Sequence, residues 1–296
     1  MLTINPKEVK TVELHSHMLS AVAPRPIAFA STIDKNGIPN LSPFSFFNAF
    51  GSNPPILVFS PARRVRDNSI KHTLENVYEV DEVVINVVNY NMVHQQSLAS
   101  TEYEKGVSEF EKAGFTPIAS QMVKPFRVKE SPVQFECKVR QVIETGTSGG
   151  AGNLIVCEIL LMHIDENVLN DHGKIDPHKI DLVARRGADY YCRASGSSIF
   201  EVAKPLQKKA IGVDQLPAEV RLSTILTGNN LGQLGNFEKL PSAEDIHAFN
   251  ESAKAEHIRK QLHGNDDEKC IQLHHMAKAL LEQNCVTEAW ELLLMK

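Results

Sequence analysis

The sequence predicts a mainly β chain with an α-helical C-terminal extension, and three observations predict it. Apolar and polar residues alternate with period two in several short runs, Ile27 to Ile33 and Val133 to Arg140 among them. Turn-forming residues separate those runs, as in Asp34-Lys35-Asn36-Gly37. Past Gly196 the pattern changes, and from Ser242 apolar residues recur at helical spacing. The expected division is a β domain over 1–196 and a helical extension over 197–296.

At 296 residues the chain can bury a substantial core in one large domain or two small ones. Its net charge of −5 is spread evenly, which gives no reason to expect a nucleic acid or an anionic membrane as partner. Five cysteines stand far apart with no C-x-x-C, the usage of reduced thiols in a cytoplasmic protein. No basic segment followed by an apolar run opens the chain, and no apolar stretch approaches a membrane span.

Residues 1–20 read as a polar lead-in. His15 and His17 form either half a metal site or a surface pair, and the pair is the favoured reading. Ile27 to Ile33 is a strand, Asp34 to Gly37 its turn, and Asn40 to Asn48 a second extended segment leading to a loop that ends at Pro54-Pro55. That segment mixes serines and asparagines with Phe44, Phe46 and Phe47, a wall suited to the face and edge of a flat heteroaromatic ring. Ile56 to Ser60 is a short buried strand. Arg63, Arg64, Arg66 and Lys71 then precede a helical pattern over Thr73 to Tyr78. Cations ahead of a helix suit a phosphate ester, although a solvated basic loop fits the same residues equally well.

Asp81 to Tyr90 is a strand rich in β-branched residues, and its Asn86 must bond either backbone or a ligand. Met92 to Ala113 turns helical and polar. Val133, Phe135, Cys137 and Val139 share one buried face, which makes Cys137 a core residue, while the other face is wet or paired. The Gly-rich run Thr145 to Asn153 has no following lysine or helix, so it reads as a hairpin loop before it reads as a ligand lid. Leu154 to Ile164 is a long buried strand. Ser242 opens a helix that runs to Leu262 and stops at Gly264; Glu268 to Gln283 and Thr287 to Met295 follow as a helical hairpin.

Several of these pieces, in order, resemble the flavin reductase-like family of FMN-binding split barrels. They are RPIAFAST, NGIPNLSPFSFFNAF with the following SNPP, Lys71-His72-Thr73 with Asn76, DEVVINVV, SEFEKAGFTP and PFRVKESPVQFEC. The resemblance covers roughly residues 20–195. It implies a Greek-key antiparallel split β-barrel with FMN near a homodimer interface. It places Ser42, Ser45, Phe46 and Asn48 at the isoalloxazine and ribityl, and Ser60, Arg63, Lys71 and Thr73 at the phosphate. Asn86 matches the family's strand asparagine, whereas His72 departs from the family's aspartate. NAD(P)H is the implied hydride donor, and an oxygenase or other electron acceptor the implied partner. The alternative is an FMN-carrying electron-transfer protein without nicotinamide turnover. Arg185, Arg186 and Tyr190 to Arg193 fit either the flavin's surroundings or a dimer surface.

Overall fold

A computed structural model describes residues 1–206 and 209–295. The chain divides into two compact units, Met1–Phe200 and Glu201–Lys296. No helix among the described residues is long and apolar enough to cross a membrane.

In the first unit, β1 (Ala28–Ile33) and β2 (Pro39–Phe44) form a hairpin. Asp34 Oδ1 accepts the N–H groups of Asn36 at 2.9 Å and Ile38 at 2.8 Å, and Gly37 takes φ +83°. A second hairpin joins β3 (Phe47–Ser52) to β4 (Pro55–Phe59). This corrects the reading of residues 40–48 as one extended segment followed by a loop. Ser45 and Phe46 interrupt the strand, and the expected loop is itself β3. Gly51 permits the tight return, because a Cβ there would stand 3.0 Å from the Pro54 carbonyl oxygen.

Eight more elements complete the sheet and its cover: α2 (His72–Glu79), β5 (Glu82–Val87), a small β6 (Pro117–Ile118) and β7 (Arg127–Val128) pair, and the long β8 (Val133–Glu144) and β9 (Asn153–Ile164) hairpin, with α3 (Val93–Leu98) and α4 (Glu109–Ala113) between β5 and β6. The main sheet runs β2-β1-β5-β8-β9-β4-β3 with every pairing antiparallel. Its two edge strands, β2 and β3, are consecutive in the chain and separated only by Ser45 and Phe46. A flat sheet cannot satisfy that connection. The sheet curls until its edges meet, giving a barrel that stays open along one seam.

α2 sends Leu74 and Val77 into the core made by Ala28, Ala30, Phe59, Ile85, Cys137 and Ile155. α3 and α4 cover the other face of β1, where Phe29 and Leu41 meet Phe110 and Phe115. β1 is thus buried along its whole length. Cys137 is fully buried as expected, and burial beside Glu136 pushes its thiol up to about 12.

Two further expectations are corrected. The lead-in is in part a helix, α1 (Thr11–Ala21), with no buried residue. No apolar stripe announces it; Arg25 holds its end by donating to the carbonyls of Leu19 and Val22. β9 is not buried throughout: Leu160, Met162 and Ile164 on its outer side are exposed. A short antiparallel pair, β10 (Val183–Arg185) and β11 (Tyr191–Arg193), closes the unit.

The second unit is helical: α5 (Ala218–Arg221), α6 (Gly228–Gly235), α7 (Ala243–Asn250), α8 (Ala253–Gln261), α9 (Asp266–Glu282) and α10 (Val286–Leu293). Ser242 caps α7 in a reciprocal pair with Asp245, as its sequence predicts. The run expected to reach Leu262 is two helices, because the Ser252 hydroxyl accepts the Ala255 N–H and starts α8. Trp290 on α10 is fully buried in this unit's own core with Leu234, Phe249 and Leu281.

Candidate functional site

The site is built at the barrel seam. Arg25, only 5 % exposed, ties the seam together. Its Nε donates to Ser45 Oγ at 3.2 Å, its Nη2 to the Arg186 carbonyl at 3.1 Å, and its guanidinium lies 6.0 Å from the centre of the Phe46 ring. His15 of α1 meets the same ring edge-on at 6.2 Å. α1 therefore passes beside the Ser45–Phe46 turn.

The backbone N–H of Ser60 donates to the Phe46 carbonyl at 2.9 Å, so the aromatic turn and the start of the basic loop adjoin. Ser60 is buried, its hydroxyl accepting the Asn153 N–H at 3.0 Å. The basic loop lies against the Gly-rich β8–β9 turn. Arg63 N–H donates to Ala151 O and Gly150 N–H to Arg63 O, both at 2.9 Å, and Asn68 Nδ2 reaches Thr147 O at 2.9 Å. The glycines allow that approach. A Cβ on Gly149 would stand 3.0 Å from Val65 Cα, and Gly150 takes φ +92° with Thr11 close by. The Gly-rich run is a hairpin loop, as its sequence predicts, with a packing role under the basic loop.

Most of the loop's cations have partners. Glu102 accepts from Arg64 Nε at 2.7 Å and Arg66 Nη2 at 3.3 Å, and stands 3.4 Å from Lys71 Nζ. The Arg64 hydrogen bond, against some desolvation and helped by Lys71, draws its carboxyl down to about 2. The Ser69 hydroxyl and N–H, with Arg66, hold Asp67 well below the carboxylate range. Arg63 is different. Its Nη2 is 3.6 Å from Glu144 and its Nη1 3.4 Å from the Asn68 carbonyl, both long, and its buried Nε has no partner.

The remaining candidate residues divide. Ser42 lies half-buried on β2 opposite Ala30, on the strand face it shares with Asn40. Thr73 is buried and its hydroxyl accepts from Asn40 Nδ2 at 2.9 Å, while Asn76 Nδ2 donates to Thr32 Oγ1 at 3.1 Å. These two bonds seat α2 on the sheet. Burial lowers the His72 pKa, Glu75 opposing and nearby cations assisting, which favours the neutral imidazole. Asn48 is exposed on β3, and its side-chain oxygen accepts the Ala49 N–H. Asn86 is fully buried: its Nδ2 donates to Phe29 O and its Oδ1 accepts from Val128 N–H, both at 2.9 Å. Asn86 thus makes the backbone bonds that one of its two readings expects. His15 and His17 belong to no metal-binding cluster among the described residues.

Arg25 and Glu102 were not singled out from the sequence. Arg25 sits inside RPIAFAST, where its only local signal is a buried charge among apolar residues. Glu102 lies 31 residues beyond Lys71, and nothing near it in sequence announces the pairing.

Residues 19–181, more than half of the chain, match the family model of the flavin reductase like domain. The chain belongs to the flavin reductase-like family. An uncharacterised protein of Aquifex aeolicus is 36% identical over 196 residues, covering 66% of this chain and 97% of that one. Nitrilotriacetate monooxygenase component B from Bacillus cereus shares the fold at TM-score 0.63 with 27% identity, over 68% of this chain and 98% of that one. The flavoredoxin of Desulfovibrio vulgaris (Miyazaki F), at TM-score 0.53 and 22% identity over 69% of this chain and 98% of that one, shows the fold again. The family match ends before the helical unit begins.

Proposed function

We propose that this chain is an NAD(P)H-dependent flavin oxidoreductase that holds FMN along the barrel seam. The isoalloxazine lies against Ser42, Ser45 and Phe46, and the phosphate at Ser60 and Arg63. The observation that carries this reading is the 2.9 Å bond from Ser60 N–H to Phe46 O, which sets an aromatic, hydroxyl-bearing wall beside a basic loop.

The residues fit the group. A buried N–H without an acceptor costs on the order of 1–3 kcal/mol. The unpartnered Nε of Arg63 is such a donor, and a phosphate oxygen relieves it. Arg64 and Lys71 add positive potential behind it, partly offset by Glu102. Thr73 and Asn86 act one step back, seating α2 and joining β5 to β7. Bound FMN supplies the hydride acceptor, and the chain supplies binding, orientation and exclusion of water. Arg25 fixes Ser45 and Phe46 and places a cation behind the ring wall.

The likeness to a monooxygenase component favours an oxygenase as recipient of the reduced flavin. The test is anaerobic mixing of the FMN-loaded protein with NADH and with NADPH. Rapid bleaching of the flavin band by either is the expected result. Bleaching by dithionite alone would leave the electron carrier as the reading, and a protein that takes up no FMN would end both.

A further inference from the structure

We propose that the cleft between α3 and the β10–β11 hairpin is the site for the adenine base of the nicotinamide dinucleotide, a proposal that rests on the function inferred above. The cleft is a cavity of about 350 Å³ bordered by Tyr90, His94, Ser97, Asp189, Tyr191 and Arg193. Arg193 lies 3.8 Å from the centre of the Tyr90 ring. Its guanidinium is locked in plane by Asp181, with Nε to Oδ1 and Nη2 to Oδ2 both at 2.7 Å. Tyr90 remains 45 % exposed, an aromatic ring left open to solvent over a fixed guanidinium. Preorganised planes of this kind are what a purine stacks on.

The electrostatics select the base over its phosphates. Asp181 neutralises Arg193, and Asp189 at the rim sets a negative charge against the positive one of Arg185, whose guanidinium lies 4.6 Å from the centre of the Tyr191 ring. A phosphate gains little there, whereas a neutral base with an exocyclic amino group can donate to Asp189 and accept from Ser97. The cleft is also near the seam. Arg185, which pairs with Tyr191, exchanges both backbone hydrogen bonds with Arg25 at 2.9 Å, and Arg25 holds Ser45. Two strand spacings, about 10 Å, separate the Tyr191 backbone from that of Arg25, within the reach of one dinucleotide.

The experiment compares NADH with reduced nicotinamide mononucleotide, which lacks the adenosine, as donors to the FMN-loaded full chain. Tyr90→Ala should lower kcat/KM for NADH relative to the mononucleotide by about tenfold. Arg193→Lys keeps a charge for Asp181 but loses the plane, and should shift the ratio the same way. Adenosine alone should perturb the tyrosine fluorescence of the unaltered protein and not that of Tyr90→Ala. An unchanged ratio in both variants overturns the cleft while leaving the oxidoreductase standing. Should neither donor reduce the flavin, the functional reading fails, and absence of adenosine binding then overturns the cleft as well.

Discussion

Glu136 carries a dense set of bonds for one buried carboxylate. It is fully buried on β8, accepts the N–H groups of Gln121 and Met122, bonds His163 Nε2 at 2.7 Å, and lies 3.7 Å from Arg127 Nε. Desolvation pushes its carboxyl up, but the two backbone donors and His163 outweigh it, and the pKa stays below the ordinary value. Removing it strands two part-buried backbone donors and leaves the Arg127 guanidinium and His163 ring without their shared acceptor. Glu136→Ala should therefore cost about 3 kcal/mol, read as a lower denaturation midpoint at unchanged m; a loss below about 1 kcal/mol, the size of a surface pair, would contradict this. The pH dependence has the same sign for Glu136 and Glu102. A carboxyl with a depressed folded pKa adds stability above its unfolded value, and that stability is lost as pH falls through the folded value. For Glu102 the window runs from 4.5 down to about 2. Glu102→Gln should flatten the acid side of the unfolding curve in that window, and identical curves for both proteins would show that the Arg64–Lys71 cluster does not stabilise the fold.

Among the elements, the β1–β2 hairpin was legible because its information is local: Asp34 and Gly37 build the turn within five residues. The helix caps at Ser242 and Asn265 were local too, although only the first was read. α1 was hidden because it is held by Arg25 from outside itself and has no buried face for periodicity to reveal. The split of residues 40–52 into two edge strands was hidden for a topological reason: period-two alternation says that a segment is extended, not which neighbours it pairs with. The site was legible as a pair of loops. The bonds that Thr73 and Asn86 make within the barrel could not be read from their types, since an asparagine or threonine bonds a ligand and a backbone equally well. The Gly-rich turn offers a test at this scale. Gly150→Ala forces a side chain into φ +92° against Thr11 and should cost about 1–2 kcal/mol. Because the same turn supports the Arg63 backbone, FMN affinity, measured by fluorescence quenching, should fall with it. Full stability with full affinity would separate the turn from the phosphate loop.

At the scale of the molecule, the outer side of β9 requires an explanation that its own barrel does not provide. β9 pairs with β8 along its length but with β4 only over Ile155 to Glu158, so its last residues are bound on one side. Leu160, Met162 and Ile164 stand in a row at 39, 40 and 36 % exposure, and Phe50 on β3, one strand beyond β4, is 68 % exposed. A contiguous apolar strip on a sheet face marks an interaction surface. The homodimer that the family resemblance implies would cover such a strip with a second copy of the chain. A symmetric pairing would set two such strips face to face and remove both from water. Charges placed there should then act on assembly and leave folding intact. If the strip is that interface, the parent should sediment as a dimer and the double variant Leu160→Lys with Met162→Lys as a monomer with an unchanged circular dichroism spectrum. A variant that remains dimeric would move the interface elsewhere on the barrel, and a parent that is already monomeric would remove the strip's assigned partner.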